Sequence, residues 1–396
     1  MWVTSSLTAA LTPTRVALGN FDGVHRGHQH VIDRIFNGDR PVDVLPSLVS
    51  PRQPSSSESS ESSPNLPNAY LSAEMTHRCV SAVQAARRSQ GCEAQARTTA
   101  WNGETNRLNR VYTTVLTFNP HPQAFFSGKS RSLLSPIAEK VDALRALGVD
   151  QLILLPFDQH IAQLSPEAFV QHILIEGLQA QAVSVGGNFR FGHRRSGTAS
   201  DLQQLCQARQ VEGHIVELHH LGDDRVSSST IRTALEGGDL ERANRLLGRP
   251  YRVAGTVEHG QHLGRTLGFP TANIHLPPDK FLPRWGVYAG RMWLGDHETP
   301  IAGVLNIGCR PTVNGTRPTV EVHLIDWTGD LYGRCLSIEL LHFLRPEEKF
   351  DSLAALKVQI QRDRDRAMAL LTMPNPDSLA SNLDSQPGSP PNPEVE

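Results

Sequence analysis

Val16–His28 reads VALGNFDGVHRGH. A short apolar run, a glycine-containing turn and the start of a helix follow one another. The run Val16–Leu18 suits a parallel strand buried on both faces. Gly19 and Gly23 let the backbone approach a ligand closely. A helix beginning near His25–His28 offers unpaired backbone N–H groups and the positive end of its dipole to an anion. His25 and His28 are three apart and share a helical face. Two imidazoles can therefore bear on one phosphate group and stabilise charge developing there. The stretch is not a Walker A loop. The chain's GKS, at Gly128–Ser130, has Gln123 where that motif needs its first glycine.

Outward from this stretch, strand and helix signals alternate. Val115–Phe118, Leu152–Leu155 and Val183–Val185 repeat the buried-strand pattern. Ser135-Pro136 supplies an N-cap and a first-turn proline to a helix carrying Ile137, Val141 and Leu144 and ending at Gly148; Ser165-Pro166 opens another in the same way. This alternation predicts an open parallel sheet with helices on both faces. After Gly248 the texture changes to strands at 252–257, 287–294, 319–325 and 335–341, separated by Gly/Pro turns. Val320, Val322 and Leu324 fall on one face, with Thr319, Glu321 and His323 on the other. A small antiparallel barrel is expected. A last helix follows from about Asp351 to Leu371, with Leu353, Leu356, Ile360 and Ala367 along one side. Asp363 and Asp365, in an alternating RDRDR run, read as a solvated face rather than a nucleic-acid patch. The expected organisation is a first domain over 1–248 with a Ser-rich, irregular insertion at 38–110, a second domain over 249–372, and a disordered tail at 373–396.

Composition narrows the partners. The 396 residues carry 38 Lys and Arg against 40 Asp and Glu, a formal charge of −2. No global basic field draws nucleic acid or an anionic membrane, so neither is an expected partner and anions must be held locally. The five cysteines are scattered and form no CxxC pair, which argues against a disulfide framework or a thiolate zinc site and fits a reducing cytoplasm. No apolar run reaches the length of a membrane span, and no basic segment precedes Leu7–Leu11 as a secretory signal would require. Homo-oligomerisation is left open.

GNFDGVHRGHQ, from Gly19, resembles the HxGH nucleotidyltransferase signature in the form carried by bacterial FAD synthetases. TFNPHP at 117–122, GGNFRFG at 186–192 and RVSSSTIR at 225–232 resemble further motifs of that family, in its order. The resemblance implies a Rossmann-like fold in which Gly19, Asn20, Phe21, Asp22 and Gly23 line the nucleotide phosphates and His25 and His28 contact the transition state. Asn188 would orient a phosphate, and Arg225, Ser228, Ser229 and Arg232 would bind triphosphate and departing pyrophosphate. Pro120, His121, Phe189 and Phe191 would lie against flavin. On the residues alone, Phe189 and Phe191 read equally well as core packing, Pro120 and His121 as turn residues, and Arg225 as a solvated loop charge. Thr230 stands where arginine is common in the family, and the insertion at 38–110 is much longer than the family's link.

GRTLGFPTAN at 264–273, NIGCRPT at 306–312, TVEVHLID at 319–326 and LYG at 331–333 resemble the riboflavin kinase domain. The resemblance implies that Glu321 is the base at the riboflavin hydroxyl, that Thr271 and Asn273 hold Mg²⁺, that Gly264 and Arg265 meet phosphate and that Arg310 lies near the flavin. Hydroxyl and amide oxygens are hard donors suited to that ion. Taken together, the chain resembles the bifunctional riboflavin kinase/FMN adenylyltransferase family, and the expected activity converts riboflavin to FMN and FMN to FAD with ATP at both steps. The alternative is a kinase whose first domain is inactive.

Overall fold

The computed structural model describes residues 1–36, 110–258, 268–295, 299–312 and 315–372. The expectations for the insertion beyond residue 36 and for the tail from 373 lie outside them.

The first half is built on six parallel strands: β1 (Trp2–Thr4), β2 (Thr14–Leu18), β3 (Tyr112–Asn119), β4 (Gln151–Pro156), β5 (Ala180–Gly186) and β8 (Glu212–Val216). Their order across the sheet is β1-β4-β3-β2-β5-β8, and every pairing is parallel. Short strands β6 (Arg190–Phe191) and β7 (Gly197–Thr198) form one hairpin, and β9 (His220–Leu221) and β10 (Asp224–Arg225) another. The helices are α1 (Arg26–Asp33), α2 (Pro122–Ser127), α3 (Ile137–Ala146), α4 (Gln159–Gln163), α5 (Pro166–Phe169, running on in wider turns to Gly177), α6 (Ala199–Gln207), α7 (Ser228–Gly237) and α8 (Leu240–Leu247). Along β2, Val16 and Leu18 enter one apolar core and Ala17 the other, so both faces of the sheet are covered. The chain leaves β2 for β3 on one side and returns to β5 on the other. That reversal opens a crevice at the carboxyl ends of β2 and β5, where ligands bind in open α/β sheets.

The two Ser-Pro dipeptides divide. Ser165 caps α5 as expected, its Oγ accepting from Ala168 N at 3.1 Å. Ser135 does not cap α3; Pro136 occupies that position without a side-chain bond. Ser135 instead reaches the loop after β2, where its Oγ accepts from Gly23 N at 2.8 Å and its N donates to Asp22 Oδ1 at 3.3 Å. A partner more than a hundred residues away has outcompeted the local cap.

Past α8 the chain forms a closed antiparallel barrel of β11 (Tyr251–Glu258), β12 (Ala272–His275), β15 (Gly315–Leu324), β14 (Ile301–Thr312), β13 (Gly286–Leu294) and β16 (Cys335–Pro346), in that spatial order. Val320, Val322 and Leu324 point into its core, as the alternation predicts. That core is continuous with Ile231, Leu235, Leu246 and Leu247 of α7 and α8. A polar seam joins the two halves as well. Lys280 Nζ lies 2.6 Å from Glu139 Oε2 and donates to the carbonyls of Leu134 and Arg252, while Leu133 and Lys280 form a parallel bridge.

The last helix, α9 (Leu353–Thr372), corrects the reading of Asp363 as solvated. Asp363 is buried, accepting from Arg345 of β16 through Nε and Nη2, the latter at 2.8 Å, and from Gln359. Arg364 pairs with Asp326, and Arg366 donates to Leu344 O. The charged run thus fastens the helix to the barrel, while Leu353, predicted on the packed side, is exposed.

Candidate active site

Gly19–Gly23 forms a tight loop at the crevice. Phe21 and Val24 take φ of +47° and +42°, left-handed values that a β-branched residue such as Val24 avoids unless its surroundings hold it there. The surroundings do so. Thr117 Oγ1 (3.2 Å) and Lys140 Nζ (2.8 Å) donate to Asn20 O, and Gln29 Nε2 donates to Val24 O at 2.9 Å. Asp22 is buried, and its carboxylate is gripped by Arg232 of α7. Ser228 Oγ donates to Asp22 O at 2.9 Å. The starts of α1 and α7 are therefore tied to one loop, and two sets of free helical N–H groups are presented together.

The histidines are more constrained than their spacing implied. His25 caps α1, its Nδ1 accepting from His28 N at 3.3 Å, and the two rings stack at 3.6 Å between centroids. His121 caps α2 in the same way, Nδ1 accepting from Gln123 N at 3.1 Å. An accepting Nδ1 carries no proton, so neutral His25 and His121 each keep their N–H at Nε2. Burial pulls His25 down to about 4, against the opposing pull of Asp22. Burial, and then Arg131, pull His121 to about 4. Burial also lowers His28 well below its ordinary range, with His25 adding to the effect, and His28 Nδ1 is buried without a hydrogen-bond partner. The lowered values favour the neutral imidazole in all three, which leaves each ring one N–H to offer.

The remaining expected residues separate. Ser229 is exposed in the first turn of α7, which Ser227 caps, and Arg225 is exposed on β10. Asn188 is exposed in the loop after β5. Phe191, expected against flavin, is a core residue instead: it packs on Phe169, and a Cβ on Gly197 would fall 2.7 Å from its ring. Phe189 stacks on it, half-buried, with the rings 17° from parallel. Pro120 follows β3 and is exposed.

In the barrel, register does the assembling. Glu321 of β15 lies directly across from Asn273 of β12 and from Asn306 of β14, on the face opposite the buried Val320 and Val322. Directly opposed residues on neighbouring strands share a face and stand within contact range. Thr271 precedes Asn273 by two and is likewise half-buried. His323 Nδ1 donates to Pro270 O at 2.9 Å and its ring meets the Phe269 ring edge-on, fixing the start of β12 beside Glu321. A Cβ on Gly308 would lie 1.9 Å from Glu347 Oε1, so the exposed Glu347 side chain packs close over this strand. Gly264 and Arg265 lie outside the described residues, as does the side chain of Arg310.

A family model for FAD synthetases matches residues 7–65 and 102–230, and one for riboflavin kinases matches 247–371. A bifunctional riboflavin kinase/FMN adenylyltransferase from Haemophilus influenzae is 40% identical over 259 residues, covering 64% of this chain and 82% of that one. The chain belongs to the bifunctional riboflavin kinase/FMN adenylyltransferase family. Its members from Escherichia coli and Pseudomonas fluorescens are 38% and 42% identical, over 69% and 65% of this chain and 87% and 82% of theirs. A crystal structure described as a macrolide-efflux protein from Streptococcus pneumoniae superposes with a TM-score of 0.66 at 24% identity, over 92% of this chain and 98% of that one, a likeness of fold alone. The family match passes over residues 66–101.

Four residues that the fold places beside the two candidate sites escaped the motif reading. Lys140 is buried against Asn20 O; Arg131 stands near Arg232 and His121; Arg249 grips the loop from behind; Asn306 flanks Glu321. Asn306 had a signal, since it opens NIGCRPT. The three cations come from outside every motif and become neighbours only in the folded chain.

Proposed function

We propose that the chain makes FAD in two consecutive transfers, each at its own site. The barrel phosphorylates riboflavin with ATP to give FMN and ADP. The parallel-sheet half then joins FMN to AMP from a second ATP and releases pyrophosphate. The observation that supports this is that one chain brings together residues of two separate constellations, one at the β2 crevice and one around Glu321. Matches to both families do not favour a kinase with an inactive first domain.

At the barrel, Glu321 takes the proton of the riboflavin 5′-hydroxyl as that oxygen attacks the γ-phosphorus. Thr271 and Asn273, half-buried on its face, are the oxygen donors that would hold Mg²⁺. The rest of its shell would come from nucleotide oxygens and water. The ion would neutralise charge on the β- and γ-phosphates.

At the β2 crevice the nucleophile is the FMN phosphate, already an anion, attacking the α-phosphorus of ATP. No base is needed, which suits histidines kept neutral. Nε2–H of His25 donates to phosphate oxygens, as does His28, and the α1 and α7 N-termini add backbone donors. Arg232, anchored on Asp22, and Arg225 and Ser229 receive the departing pyrophosphate. The test is a time course with riboflavin, ATP and Mg²⁺, separating the flavins. FMN followed by FAD is expected. FMN alone would restore the kinase-only reading, and neither product from folded protein would overturn both activities.

A further inference from the structure

Arg249 belongs to none of the sequence motifs, yet it reaches the β2 crevice from outside them. It lies in the two-residue link between the Gly248 cap of α8 and the first strand of the barrel. Its side chain nevertheless crosses back to the loop after β2: Nη2 donates to Gly23 O at 2.6 Å and Nη1 to Val24 O at 3.0 Å. These two carbonyls belong to consecutive left-handed residues of the loop, Gly23 at φ +88° and Val24 at +42°.

The planarity of the peptide bond gives this grip a consequence. A carbonyl and the following N–H point in opposite directions across a trans peptide. Drawing Val24 O toward Arg249 turns the N–H of His25 the other way. That N–H is among the unpaired donors at the start of α1. The guanidinium's two parallel donors match two adjacent carbonyls better than a point charge does. It also places a fixed positive charge behind the loop that receives the nucleotide. Gln29, which shares Val24 O, ties the same turn to Leu247 O at 3.1 Å. The loop is thus held by groups around the link to the barrel.

We infer that Arg249 is a positioning residue for adenylyl transfer, holding the Gly23–Val24 turn so that the His25 N–H and the start of α1 face the phosphates of ATP. This rests on the adenylyltransferase reading above. The chain carries its own control, because riboflavin phosphorylation takes place at a separate site in the same molecule.

The test assays both reactions on full-length parent, Arg249→Ala and Arg249→Lys, with thermal unfolding run alongside. For Arg249→Ala, kcat/KM for FAD formation from supplied FMN and ATP should fall roughly ten- to hundredfold, with KM for ATP raised, while riboflavin phosphorylation stays within about twofold. Arg249→Lys, which keeps the charge but loses the two-pronged grip, should fall between the two. FAD formation within about twofold of the parent in both variants would overturn the assignment, as would an equal fall in both reactions in folded protein. If the alanine variant does not fold, the lysine variant decides on the same criteria. A parent that makes no FAD would instead remove the activity on which the inference stands.

Discussion

At the β2 crevice, functional groups come from five distant places: Asp22 and His25 after β2, Ser135 before α3, Lys140 within α3, Ser228 and Arg232 on α7, and Arg249 at the link. Around Glu321 they come from three neighbouring strands whose register alone sets them side by side. The first site is held by buried hydrogen bonds and an ion pair, so one lost partner disturbs several others. The second is held by the ladder of a closed barrel, and its side chains can be changed with little effect on the frame. A polar network is preorganised at the cost of sensitivity; a strand register is robust but supplies its groups only in rows.

The largest effect that sharpens this contrast should come from Glu321→Gln. Riboflavin phosphorylation should fall roughly 10²–10⁴-fold with the loss of the base. FAD formation from supplied FMN and the unfolding temperature should hardly move. His28→Ala should do the reverse, lowering FAD formation roughly 10²–10³-fold as a charge-stabilising donor is lost. Either variant losing both activities equally while folded would break the separation of sites. Asp22→Asn tests the network: removing one member of the Arg232 pair should cost about 3–5 kcal/mol of stability in chemical denaturation. It should also weaken FAD formation, though Asp22 itself need not meet ATP. An unchanged unfolding curve would show that the pair does not hold the loop.

The smallest effect is a pH dependence. His25 and His121 titrate at about 4 in the folded protein against an ordinary value of 6.5. The unfolded chain therefore takes up protons first as pH falls. Stability from these groups is intact above 6.5, declines through the interval, and is fully lost below 4. Unfolding temperatures measured across that interval should drop on acidification, and His25→Gln should flatten the drop. A curve unaffected by the substitution would remove His25 as a contributor.

What could be read beforehand follows the same division. Alternation along 319–325 placed Glu321 opposite the apolar face because a strand's period survives any tertiary context. The fold class followed from the strand–helix alternation and the change of texture after Gly248. Strand β1 is three residues long, too short to show periodicity, and strand β12 has four. Ser135 was misread because local capping rules cannot see Gly23 arriving from far away in the sequence. Asp363 was misread because acidic helix residues are usually solvated, and nothing nearby in the chain announces Arg345. The cations Lys140, Arg131 and Arg249 carry no pattern at all; an anion site draws charge from wherever the fold passes.

The sheet of the first half is open, and open sheets can recruit a foreign strand along their sides. One border here is the three-residue β1, laid against β4. The other, β8, begins with Glu212, which pairs with Arg15 and lies 3.2 Å from His214 on its own strand. A border that is very short and one that opens with a carboxylate are poor templates for edge-on growth. The barrel strands, each paired on both sides, offer none. Neither border of the described sheet is therefore a ready template for a foreign strand, and removing the Glu212 charge should make the β8 side a better one.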